Sequence, residues 1–137
     1  MLTSNQLLQE TINKIVSQNS TWVVIRTSAL EKLGDALLIA DEIATPHSVA
    51  AKTKREIAHV HMAGKVQDYS MHAVLSPADC KEVIGKGWGE RMTLAGTLMP
   101  SEYLMIYTPR TKEEVDVVGK IVEAAVGFMS GSGGEGN

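Results

Sequence analysis

Along the chain, stretches whose apolar residues recur every three or four positions alternate with stretches where they recur every second position or run together. This pattern predicts a mixture of helices and strands. Residues 3 to 18 read as a first helix, because Leu8, Ile12, Ile15 and Val16 share a face and Thr3 or Ser4 can cap its start. Thr21-Trp22-Val23-Val24-Ile25-Arg26 is β-branched and aromatic and predicts a strand, while the stretch from Ser28 to Leu33 can turn helical. Ala36 to Ala40, after Gly34, is short and apolar; a buried strand fits it, although periodicity alone does not separate that from a helical turn. Thr45-Pro46-His47-Ser48 breaks the pattern.

Residues 55 to 62 and 69 to 75 predict two strands joined through 63–68 as an antiparallel hairpin. Ser76 is a cap followed by Pro77 at the first helical position, so a helix is expected over 77 to 85, stopping at Gly85. In Gly87-Trp88-Gly89-Glu90-Arg91 the glycines free the backbone around an anchoring ring, which predicts a shaped loop rather than a regular element. Tyr103 to Tyr107 is a strand candidate ended by Pro109. Thr111-Lys112-Glu113-Glu114 is a capping box, opening a last helix with Val115, Val118, Val122, Ala125, Val126 and Met129 on its apolar face. The Gly/Ser-rich tail, 131–137, is expected to be disordered.

These elements predict a single α+β domain in which an antiparallel sheet packs against helices. Residues 1–34 form an N-terminal helical and strand segment packed on the main unit, 35–130. With 137 residues the chain can bury a core without metal or disulfide staples, and 44% apolar with 21% charged residues is ordinary globular usage. A net charge of -3 gives no electrostatic reason to expect nucleic acid, and 4% aromatic residues offer no stacking platform for it. Lys52, Lys54 and Arg55 read as a solvated strand entry. Cys80 is alone, so no intramolecular disulfide is expected and a buried, inert thiol is the simplest reading. Without a leader-like start or a membrane-spanning apolar run, a cytoplasmic protein that does not meet membranes is expected.

The chemistry concentrates in one stretch, Arg55-Glu56-Ile57-Ala58-His59-Val60-His61, followed by Ser70-Met71-His72. In a strand, alternate residues share a face, so His59 and His61 stand together, with Glu56 opposite them unless a bulge intervenes. His72 joins them if the hairpin register sets it across from His61, whereas a one-residue slip sends it to the other side. Three such imidazoles can act as general bases, bind an anion or ligate a transition metal. Glu90 is placed to orient an imidazole, and Arg91 or Arg110 to hold a substrate anion, while Trp88 and Tyr107 are candidates to line the same cleft. His47 carries little weight. No phosphate loop, paired-cysteine metal motif or dinucleotide fingerprint is present, so nucleotide cofactors are not expected.

Arg55 to His61, Asp68 with Ser70-Met71-His72, Gly87 to Arg91, and Leu104-Met105-Ile106-Tyr107-Thr108-Pro109-Arg110 together resemble the luciferase-like domain family, over roughly residues 35 to 129. The resemblance implies a small-molecule oxygenase that needs no flavin or nicotinamide. In the fungal light emitters of that family, molecular oxygen reacts with a hydroxylated pyrone through a peroxide that loses carbon dioxide. The family pattern often carries a histidine after the Gly-Trp-Gly-Glu-Arg segment, where this chain has Met92. On this reading His59, His61 or His72 removes a proton from an enol-type substrate, helped by Glu90. Trp88, Arg91, Tyr107 and Arg110 bind it, oxygen is the co-substrate, and no cofactor is required. A second reading gives His59, His61 and His72 a metal for hydrolysis or dioxygen chemistry. A third makes the cleft a non-catalytic small-ligand binding module.

Overall fold

The computed structural model describes residues 1–62, 67–92 and 98–132. Helix α1 spans Ser4–Gln18 and is opened by a reciprocal capping box, in which Thr3 accepts from the Gln6 backbone and Gln6 accepts from the Thr3 backbone. Strands β1 (Val23–Thr27) and β2 (Asp35–Ile39), the short helix α2 (Ser48–Lys52), and strands β3 (Glu56–Val60) and β4 (Met71–Val74) follow. Then come helix α3 (Pro77–Gly85), strands β5 (Gly89–Arg91) and β6 (Tyr103–Ile106), and helix α4 (Lys112–Ser130). The strands form one antiparallel sheet in the order β1-β2-β3-β4-β6-β5. The architecture is α+β, with six strands and four helices among the described residues.

Strand alternation divides the sheet into two faces. Leu37, Ile39, Ala58, Val60, Met71, Ala73, Leu104 and Ile106 point to one face and are buried under α4 and α1, whose own stripes include Leu8, Ile12, Val118 and Val122. The opposite face carries Ala36, His59, His72 and Met105, which stand directly across from one another along four neighbouring strands. A sheet with helices on one side alone would leave this second face wet. Here His59, His72 and Tyr103 are nonetheless buried.

Three expectations are corrected. The stretch from Ser28 to Leu33 is not helical: it forms the connection from β1 to β2, closed by Ser28 N–H donating to Gly34 O at 2.8 Å, with Lys32 at φ 60. The Gly-Trp-Gly segment does not stay irregular, because Gly89–Arg91 pairs with β6 as an edge strand. Arg55 is no solvated strand entry: its guanidinium donates to Ala40 O, Ile43 O and Thr45 Oγ1 and staples the chain between β2 and α2. The connection at 63–66 and the tail at 133–137 lie outside the described residues. Gly131, at φ 81, ends α4 in the left-handed conformation that favours glycine.

Gly89 is required by close approach, since a Cβ there would lie 2.5 Å from the Met105 carbonyl oxygen and 3.0 Å from Ile106 Cδ1. The first neighbour is backbone and cannot step aside without loosening the β5–β6 ladder. Gly89→Ala is therefore expected to lower the unfolding free energy by about 1–3 kcal/mol, the usual cost of overpacking. Denaturant titration checks it, and a wild-type midpoint would show that the edge strand can shift freely.

Candidate functional site

The β3–β4 register sets His59, not His61, across from His72, with Ala58 opposite Ala73 and Val60 opposite Met71. Relative to the pairing expected from sequence this is a shift of two residues, and a shift of two preserves the face. His61 continues the line beyond the strand end, with its N–H donating to Ser70 O at 2.9 Å. All three rings therefore meet on the face away from the helices. The His61 ring sits edge-on to both others, at centroid distances of 5.4 Å from His59 and 4.6 Å from His72. The fourth histidine is elsewhere: His47 caps α2 by accepting from Ala50 N–H, and its ring stacks on Phe128.

The group on which the rings converge is Glu31, from the β1–β2 connection. Its Oε2 lies 3.4 Å from His59 Nε2, 3.2 Å from His61 Nε2 and 3.6 Å from His72 Nε2. Sequence reasoning missed this carboxylate, and it missed the residue that places it. A bulge in β3 sets Glu56 opposite Leu38 and leaves Ile57 as the extra residue, which turns Glu56 onto the histidine face. There its Oε1 accepts from Ser28 Oγ at 2.9 Å, Ala29 N–H at 2.7 Å and Leu30 N–H at 3.2 Å. Ser28 Oγ in turn accepts from Glu31 N–H at 3.0 Å. The buried Glu56 carboxylate thus fastens the connection down over the sheet, with Glu31 over the imidazoles.

The outer nitrogens of two rings are held by partners that decide which tautomer each ring adopts. His59 Nδ1 lies 3.0 Å from Asp35 O; a carbonyl can only accept, so Nδ1 carries the hydrogen. His61 Nδ1 lies 2.9 Å from Ser70 Oγ, whose hydroxyl donates to Asp68 Oδ1 at 2.6 Å. Ser70 has one hydrogen and has given it to Asp68, so His61 Nδ1 is also the donor. The Ser70 hydroxyl and N–H hold the Asp68 carboxyl below its usual range. Each ring then turns its Nε2 toward Glu31 Oε2, and His61 Nε2 lies within hydrogen-bond distance of it at 3.2 Å. His72 is stacked on Tyr103 at 4.9 Å, and its Nδ1 has no hydrogen-bond partner among the described residues. Burial first, then the neighbouring His61 charge, lowers the His72 pKa to about 4.

The remaining candidates are placed apart from this cluster. Glu90 is on the same sheet face and in the same row, opposite Met105, which itself stands opposite His72. Two strand spacings put it roughly 10 Å away, and it accepts from Tyr107 O–H at 2.8 Å. Trp88, Tyr107 and Arg110 line a separate hollow of about 350 Å³ together with Gly87, Pro109 and Glu114. The Arg110 guanidinium is engaged by Glu114 at 2.9 Å, and Arg91 donates to Ser101 O. The single cleft expected from sequence is thus two places, the histidines at mid-sheet and the aromatic and arginine corner at the β5–β6 edge. Cys80 is fully buried, and burial pushes its thiol up to about 11, so it is inert.

Fold and site together define a small α+β domain with a three-histidine, one-carboxylate centre on the sheet face away from the helices. The Luciferase domain family matches residues 54–125, more than half of the chain, and the chain belongs to that family. It is 46% identical over 87 residues to a luciferase of Armillaria mellea, covering 61% of this chain and 32% of the relative. It is 35% identical over 137 residues to a luciferase of Neonothopanus nambi, covering 93% of this chain and 50% of the relative. The chain therefore spans half or less of the length of these curated relatives. No solved structure matches it. The family segment contains His59, His61, His72, Asp68 and Ser70, whereas Glu31 and Asp35 precede it. Among the described residues, no helix is long and apolar enough to cross a membrane.

Proposed function

We propose that the protein oxygenates a small enol-type molecule, of the hydroxypyrone class, at the centre formed by His59, His61, His72 and Glu31. The observation that carries this reading is the convergence of the three Nε2 atoms on one partly exposed point, in a chain whose relatives are luciferases. An enol that loses its proton becomes an electron-rich anion. That anion can give an electron pair to dioxygen, forming a carbon–oxygen bond while the oxygen is reduced to the peroxide level. The centre must accept the proton and then return it to the peroxide. It must also lower the energy of the anion. Arg91 and Arg110 lie apart from the centre, at the β5–β6 edge, where they are engaged by Ser101 O and Glu114.

Entry is on the Glu31 side, where that side chain keeps 36% of its surface while those of His59 and His72 keep 5% and 8%. The test is oxygen consumption with a panel of hydroxypyrones and related enols. Uptake is expected with wild-type protein and a loss of at least about 100-fold in His61→Ala and His72→Ala, the scale of removing an acid–base group. Undiminished uptake in both variants would sink the proposal.

A further inference from the structure

The centre has a feature that hydrogen bonding alone does not satisfy. Asp35 O and Ser70 Oγ take the Nδ1 hydrogens, which leaves the Nε2 atoms of His59 and His61 facing Glu31 Oε2 from 3.4 and 3.2 Å. Lone pairs facing a carboxylate oxygen repel unless a positive charge lies between them. A cation held by Glu31, His61 and His72 supplies that charge. Donors bound about 2.1 Å from a four-coordinate ion stand roughly 3.4 Å apart, and the distances from Glu31 Oε2 to the rings bracket that spacing, from 3.2 to 3.6 Å. Donor atoms of Glu31, His61 and His72 all lie within 4.8 Å of one another.

We propose that Glu31, His61 and His72 bind one divalent first-row transition metal ion, beside His59. The inference rests on the reading above only in taking this cluster as the working centre, and it names what would supply the centre's positive charge. Two imidazoles and one carboxylate form a borderline-soft set that suits zinc, iron, cobalt or manganese and is a poor cage for calcium or magnesium, which prefer oxygen. Ser70 with Asp68 on His61 is the outer partner that a metal-bound imidazole needs to fix its orientation. Glu31 reaches the ion from the solvent side, so that side remains available to a further ligand.

The test uses the full chain and is read by metal content and spectrum. Protein purified without added ions is subjected to elemental analysis, then stripped with a chelator and titrated with Co²⁺ and Zn²⁺. About one ion per chain is expected, with visible Co²⁺ bands of low coordination number that Zn²⁺ abolishes. Glu31→Gln and His61→Gln, checked for folding by circular dichroism, should weaken Co²⁺ binding at least tenfold, while His47→Asn should leave it unchanged. Absence of the Co²⁺ spectrum, or equal affinity in wild type and Glu31→Gln, overturns the metal site. Oxygen uptake by protein that shows no Co²⁺ spectrum overturns the metal site and leaves the oxygenase reading standing. A stoichiometric ion without oxygen uptake on any enol supports the site and sinks the oxygenase reading.

Discussion

Replacing Glu56 by alanine is expected to lower stability by roughly 3–5 kcal/mol, the largest effect of any single substitution considered for this fold. The residue is only 1% exposed, and one of its oxygens accepts from the Ser28 hydroxyl and the Ala29 and Leu30 N–H groups. Removing it deprives these donors of their common acceptor in a place where water does not readily replace it, at about 1–3 kcal/mol for each donor left buried and unpaired. For a domain of this size the loss amounts to a fall of roughly 10–15 °C in melting temperature, measurable by thermal unfolding. Glu56→Gln keeps an acceptor and should cost less. The functional consequence follows from the same bonds: without Glu56 the β1–β2 connection is no longer held over the sheet, and Co²⁺ binding should weaken although Glu56 is not a ligand. A loss below about 1 kcal/mol would mean that the connection is held by other contacts.

This carboxylate also shows where sequence reasoning reached its limit. The strands at 55–62 and 69–75, the helix after Ser76 and the long last helix were legible because each rests on local periodicity and a cap, and each appears within a few residues of its expected bounds. The convergence of His59, His61 and His72 was legible because face is set by a period of two, which survives a register shift of two. Glu56 was expected opposite the histidines unless a bulge intervened; the extra residue Ile57 is that bulge and turns Glu56 onto their face, and nothing local announces it. Glu31 was invisible for a different reason. Its contacts with the histidines join the β1–β2 connection to β3 and β4, and no spacing rule encodes a contact of that kind. The expected single cleft likewise failed on distance: Glu90 was expected in a loop beside the histidines, but it stands on an edge strand, and the intervening Met105 strand separates it from His72.

Chelation should remove much of the stability that the metal-loaded protein displays, because an ion held only by the folded chain stabilises it through mass action. At free metal a hundred times the dissociation constant the gain is about 2.7 kcal/mol, and at a thousand times about 4.1 kcal/mol, so stripping should lower the melting temperature by roughly 10 °C or more. The hydrogen on His61 Nδ1 gives a sharper form of this prediction. Asp68 does not touch the ion; it takes the Ser70 hydrogen, which obliges Ser70 to accept from His61 Nδ1 and leaves Nε2 free to ligate. In Asp68→Asn the side chain no longer carries the charge that claims that hydrogen. Ser70 can then donate to Nδ1 instead, which moves the ring hydrogen onto Nε2 and blocks it as a ligand. Affinity should fall by roughly 10–100-fold, as for other outer partners of metal-bound histidines. That reduces the metal-dependent gain by about 1.4–2.7 kcal/mol, while the stripped protein, whose Asp68 is largely solvated, should melt close to wild type. Thermal unfolding of both proteins with and without Zn²⁺ separates the two quantities. An identical zinc-dependent shift in Asp68→Asn and wild type would show that the Ser70 hydrogen does not govern which nitrogen of His61 meets the ion.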